Sequence, residues 1–173
     1  LGLVELGRVV KAHGLRGEIL VAPHGGCQDA LLRLSRVYLR RKEAKAKPLP
    51  VVSCRMHAAR VLVAVEGIHG RDQAERWRDA AVLARARDVA AADPQRWASL
   101  VWLGAAVELS QGGVLGELRS VAFVAGQELW TVVGADGIYI LPGAVRLHAV
   151  TDRVVIDPPE GLLEVCRQDR GVL

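Results

Sequence analysis

The stretch GRVVKAHGLRGEILVAP, Gly7 to Pro23, decides how the rest of the chain is read. Two Val- and Leu-rich runs flank the polar, glycine-bearing HGLRGE, which predicts a strand, a tight turn and a second strand. Gly14 and Gly17 supply the backbone angles that such a connection demands. Two glycines three apart do not make a dinucleotide fingerprint, which needs a third glycine and a following helix; here a β run follows.

Working outward, the same pattern recurs along the chain. In the front half, strands are predicted at Val4–Val10, Gly17–Ala22, Val37–Arg41, Val51–Met56 and Val61–Val65. The last of these carries β-branched residues at alternate positions, as a sheet packed on one face requires. In the back half they are predicted at Ala105–Leu109, Gly116–Phe123, Glu128–Val133, Gly137–Leu141 and Arg153–Ile156. The separators are rich in turn residues, and Asp136-Gly137 predicts a two-residue hairpin turn with positive φ angles. One helix is predicted, in GRDQAERWRDAA, with Asp72 as its cap, Glu75 completing a capping box, and Ala74, Trp77 and Ala81 on one face. The chain closes on VVIDPPEGLLEV, Val154 to Val165, read as a terminal clasp on the second domain. Short strands without a long helix argue for an all-β protein built of small closed or nearly closed barrels.

Charge divides the 173 residues into two parts. Residues 1–89 hold 17 Lys+Arg against 9 Asp+Glu, a net of +8, and residues 90–173 hold 6 against 10, a net of −4. A boundary is predicted in DVAAADPQR, residues 88–96, where Asp93-Pro94 favours a turn. The expected domains are 1–89 and 97–168. The basic half stands to gain from phosphate neutralisation, and the acidic half from a cationic polypeptide.

Two basic features stand out in the front half. Arg8, Lys11, His13 and Arg16 surround HGLRGE, either as a solvated structural hairpin or as a knuckle that meets RNA phosphate. The loop RRKEAKAKP, Arg40 to Pro48, carries Arg40, Arg41, Lys42, Lys45 and Lys47 against the single acid Glu43. Such a loop protects a sheet edge from pairing and can also contact phosphates. It lacks interleaved aromatics, so base stacking along it is not expected.

Other chemistries find little support. His24 and Cys27, with Cys54 and His57, offer two short-spaced pairs of zinc-ligand type. The pairs lie far apart in sequence, and Cys54 and His57 sit in a predicted strand, where positions i and i+3 face opposite ways; no metal is expected. The serines have no strand–Gly-x-Ser-x-Gly–helix context, and the acidic residues are scattered, so no catalytic residues and no cofactor are assigned. Three widely spaced cysteines, Cys27, Cys54 and Cys166, fit a reducing compartment. With no signal-peptide pattern read at Leu1, the expected location is the cytoplasm.

Five segments, in order, resemble the RimM family of ribosome maturation factors: GRVVKAHGLRGEILV (7–21), VEGIHGRDQAERWRDAAVL (65–83), LGAAVELSQGGVLGELRSV (103–121), GIYILPGAV (137–145) and VVIDPPEGLLE (154–164). The resemblance spans almost the whole chain. It implies an N-terminal six-stranded barrel followed by a PRC-type β-barrel. It further implies a non-enzymatic assembly factor for the small ribosomal subunit that binds the nineteenth small-subunit protein and nearby rRNA of the head, working as a monomer. The rRNA contacts are then expected at Arg8, His13, Arg16, Arg40, Arg41, Lys42, Lys45 and Lys47. The family's adjacent aromatic pair before the first PRC strand falls on Trp97 and Ala98, so the protein contact is expected at Trp97, Ala98 and Trp102, and Trp97→Ala is expected to weaken it while the fold survives. A PRC-type adaptor of a membrane complex and an RNA-modifying enzyme are the alternatives.

Overall fold

The computed structural model describes residues 2–42, 44–150 and 152–168. It divides into two compact units, 2–95 and 96 onward. Both are dominated by antiparallel sheet.

The first unit is a closed six-stranded barrel in the order β1-β2-β5-β4-β3-β6. Its strands are β1 (Leu3–His13), β2 (Glu18–Pro23), β3 (Arg36–Arg40), β4 (Lys47–His57), β5 (Arg60–Val65) and β6 (Ala81–Arg85). Closure comes from β1, which pairs antiparallel with β2 on one side and with β6 on the other. Alternation fills the interior: Val37, Leu39, Val61, Val63, Val82 and Ala84 are fully buried, as the two-residue period of a strand dictates. On the outer side Tyr38, Ala81 and Leu83 form a small separate cluster.

Among the described residues three helices accompany this barrel, where one was predicted. Helix α1 (Gln28–Arg33) buries Ala30 and Leu31 and packs on β4 and β5. Leu62 is accordingly buried as well, and β5 is covered more fully than a one-faced strand. Helix α2 (Arg71–Glu75) is a shorter element than expected. Gly70 is its N-cap, no side chain caps it, and the Glu75 carboxylate accepts the Ala12 backbone N–H at 2.9 Å. Trp77 lies in the turn beyond this helix, and Ala81 begins β6. The predicted helix ran on to Ala81, but pairing with β1 and β3 draws Ala81 into β6, and the alanine-rich stretch after it had been assigned no strand. Helix α3 (Ala86–Ala92) occupies much of the predicted boundary, with Val89 and Ala90 buried and the Ala92 carbonyl accepting from Arg33 Nη1 at 3.1 Å.

A single turn, α4 (Pro94–Trp97), spans the division, with proline at the first helical position, where a missing N–H costs nothing. The second unit continues with a 3₁₀ segment, Ala98–Trp102. Its strands are β7 (Ala106–Leu109), β8 (Val114–Val124), β9 (Gln127–Val133), β10 (Ile138–Pro142), β11 (Arg146–Val150), β12 (Arg153–Ile156) and β13 (Arg167–Gln168), with α5 (Leu162–Cys166) before the last. The ladder runs β11-β12-β7-β8-β9-β10-β13, and β7 and β12 are parallel. Every strand from β7 to β10 contributes to one core around Trp130, together with Val154 and Ile156 of β12. Among the described residues the ladder stays open, with β11 and the two-residue β13 as its edges. The terminal segment tucks Leu162, Leu163 and Cys166 against that core, as the clasp reading expects.

One turn differs from its sequence reading. The Gly134 N–H donates to the Gly137 carbonyl at 2.9 Å, so Ala135 and Asp136 form the tip and neither has positive φ. The two-residue turn with both central φ angles positive is instead Ala125-Gly126, joining β8 to β9.

Gly17 is the glycine on which the β1–β2 connection depends. Its φ is +86°, and a Cβ there would meet the backbone of the facing loop, Gly70 N at 2.7 Å and Ile68 O at 2.9 Å. Gly17→Ala is therefore expected to destabilise the barrel by on the order of 1–3 kcal/mol, measured by thermal or denaturant unfolding. Gly14→Ala, where a Cβ meets nothing within 4 Å, should cost less; equal losses would contradict this account of the turn.

Candidate nucleic-acid interface

Two groups of cations of the first unit lie near β1. The first lies at the β1–β2 turn. His13 ends β1 opposite Glu18 at the start of β2, and its ring sits 5.0 Å from that of His57 at the end of β4, tilted by 59°. Glu18 accepts both terminal nitrogens of Arg55, one of them at 3.0 Å. Arg16 is exposed at the tip of the turn. Together with Arg55 and His69 it lines a cavity of about 800 Å³ whose buried side chains include Val65 and Ile68.

The second group lies near the middle of β1. Arg8 and Arg40 both pair with Ala81, one from each side of β6, and both approach the Glu5 carboxylate, at 3.3 and 3.8 Å. Beyond Arg40, the exposed loop carries Arg41, Lys42 and Lys45 and returns through Lys47 into β4. The Arg41 guanidinium lies over the Trp77 ring at 5.3 Å and donates to the Arg76 carbonyl at 3.4 Å. Arg41, Lys42, Arg78 and Asp79 line a hollow of about 490 Å³.

The eight expected rRNA residues thus fall into two groups, His13 with Arg16 and Arg8 with the loop. Arg55, Arg76 and Arg78 join them without having been picked out. Arg76 and Arg78 are exposed in the turn after α2, where the Arg76 carbonyl accepts from Arg41 and Arg78 lines the same hollow as Arg41 and Lys42. Arg55 had no signal of its own in sequence, since it reaches Glu18 only across β5, which pairs with β4 on one side and β2 on the other.

In the second unit Trp97 is 5% exposed, with its ring edge on Phe123 at 5.1 Å and its buried Nε1 without a hydrogen-bond partner among the described residues. A tryptophan so enclosed supports the fold, so the expectation that Trp97→Ala spares the fold gives way to a loss of stability of roughly 3–5 kcal/mol. Ala98 is exposed. Trp102 is half-buried, with the Arg146 guanidinium 4.6 Å above its ring and its edge toward Trp130.

The four residues of zinc-ligand type go separate ways. His24 Nε2 faces Glu5 at 3.2 Å, Cys27 is buried, Cys54 Sγ points at the Leu31 carbonyl at 3.5 Å, and His57 packs on His13. Burial pushes the Cys54 thiol up to about 11, away from the thiolate that a metal binds. No helix among the described residues is long and apolar enough to cross a membrane.

Comparison with known proteins settles the family. A model of the RimM N-terminal domain matches residues 4–89. The ribosome maturation factor RimM of Anaeromyxobacter sp. strain Fw109-5 is 34% identical over 93% of this chain and 98% of its own length. That of Anaeromyxobacter dehalogenans is 35% identical over 95% of this chain and 99% of its own. The chain belongs to the RimM family. A Pseudomonas aeruginosa crystal structure named as a 16S ribosomal RNA processing protein RimM aligns over 91% of this chain and 98% of its own, with 20% identity and a TM-score of 0.47. The part of this RimM chain that the family model covers is the basic barrel, with both cation groups inside it.

The Glu18–Arg55 pair gives that barrel an acid limb. Hydrogen bonding from Arg55 holds the Glu18 carboxyl below its ordinary value near 4.5 against the opposing effect of burial, helped by the charges of Arg55, His13 and Arg16. A depressed folded value means that the stabilisation is present above about 4.5 and is lost as pH falls through the folded value. Glu18→Gln should therefore lower Tm at pH 7 and converge with the parent in acid. A gap between the two proteins that is unchanged from neutral to acid pH would refute this role for Glu18.

Proposed function

We propose that the protein is a ribosome assembly factor that acts without catalysis or cofactor on the small subunit, in the cytoplasm and as a monomer. The observation that carries the reading is full-length similarity to proteins named ribosome maturation factors, joined to two exposed cation groups on the barrel that the family model matches. Each guanidinium or ammonium that meets an RNA phosphate releases condensed counterions, so binding is favourable and salt-sensitive. Arg8, Arg16, Arg40, Arg41, Lys42, Lys45 and Lys47 supply these contacts, and His13 adds a ring for hydrogen bonding or stacking.

The second unit takes the protein partner, the nineteenth small-subunit protein of the head. Its net negative charge suits a cationic polypeptide and speeds encounter more than it deepens affinity. Trp102 and Ala98 are the contact positions, with Trp102 held in place by Arg146 and Trp130; Trp97 acts beneath them as buried support. Holding a basic protein beside its rRNA site, then letting go as the site matures, requires contacts that are numerous and individually weak.

A pull-down from cell extract tests the reading. At low salt the tagged protein should recover immature small-subunit particles, and at moderate salt it should retain a small basic head protein while the RNA is lost. Recovery of mature ribosomes alone, or of no ribosomal component at either salt, would contradict it.

A further inference from the structure

We infer that the cavity beside the HGLRGE turn receives one unstacked nucleotide of single-stranded RNA. The inference rests on the assembly reading above and specifies the form of RNA met at this end of the barrel. At about 800 Å³ the cavity falls within the roughly 300–1,000 Å³ that small-molecule sites occupy. Its lining is mixed in a way that a bare phosphate does not call for. Ala64, Val65 and Ile68 give an aliphatic floor with the exposed Val52 at its edge, Arg16 and Arg55 bring positive charge, and Glu18, Glu66 and Ser53 bring acceptors.

Each part of a nucleotide finds a counterpart there. The base lies on the aliphatic floor. The phosphate meets Arg16, which stands exposed on the turn that Gly17 holds against Gly70. Ribose hydroxyls and exocyclic amino groups donate to Glu66 and Ser53, and a 2′-hydroxyl is what separates RNA from DNA at such a site. Arg55 contributes a plane more than a charge: two hydrogen bonds to Glu18 fix its guanidinium, and fixed guanidinium planes stack on splayed bases. The His13–His57 ring pair beside Glu18 continues that surface for a neighbouring base. A duplex presents phosphates on a convex surface with its bases already stacked, so it leaves the floor empty.

Filling the cavity tests this. Val52 and Ser53 are exposed positions on β4 that line it, so Val52→Trp and Ser53→Tyr occupy the space without entering the core; thermal unfolding verifies that each variant folds. Binding of the full chain to an unstructured ten-nucleotide RNA and to a ten-base-pair RNA duplex is measured by fluorescence anisotropy at fixed salt. Each filling variant is expected to weaken single-strand binding by about tenfold, the scale of one lost base contact, with duplex binding held within about twofold. Single-strand binding unchanged in both folded variants overturns the inference, as does equal loss for strand and duplex. Retention of the wild type on immature small subunits without any affinity for the single strand also overturns it and leaves the assembly reading standing. Cavity-dependent strand binding without any retention on those particles supports the site and removes the assembly reading.

Discussion

The first unit depends on β1 pairing along both of its edges. Antiparallel ladders to β2 and β6 close the barrel and remove the free strand edges that a sheet of this size otherwise exposes. The same double pairing distributes the charge. His13 and Arg16 fall at the turn into β2, while Arg8, roughly 16 Å back along the strand from His13, meets Arg40 across β6. Closure, which the apolar residues enforce, is thus also what sets the spacing between the two cation groups.

Local ion pairs tune both groups. Glu18 neutralises part of the Arg55 charge while fixing its orientation, and Glu5 does the same more loosely among Arg8, His24 and Arg40. The looser contacts of Arg8, His24 and Arg40 with Glu5 contribute little to stability. Their effect is on direction: long side chains held in a few conformations lose less freedom on meeting a ligand. Arg41, resting on Trp77, follows the same logic with an aromatic face in place of a carboxylate.

The sequence made the strands legible wherever Val and Leu alternate between turn residues. It did not reveal β6, whose alanines carry no β signal until β1 and β3 flank them, nor β11, whose RLHAV is mostly exposed. Asp72 and Glu75 matched a capping box, yet Glu75 serves the Ala12 N–H sixty-three residues away, a demand that no local pattern reports. The basic candidates were readable as charged residues in turns; which of them share a surface was not. Arg55 joined them only through pairing between strands distant in sequence, and Arg76 and Arg78 through the turn after α2. Trp97 matched an aromatic position by spacing, which could not report that its ring is buried against Phe123.

The claim that two cation groups on the barrel engage RNA phosphate is tested most directly by the salt dependence of binding between the full chain and immature small subunits. The account predicts that log K falls linearly with log salt concentration, and that the slope shrinks by about one for each of Arg8, Arg16 and Arg41 replaced by glutamine. A slope near zero, or one that the three replacements leave unchanged, would contradict it.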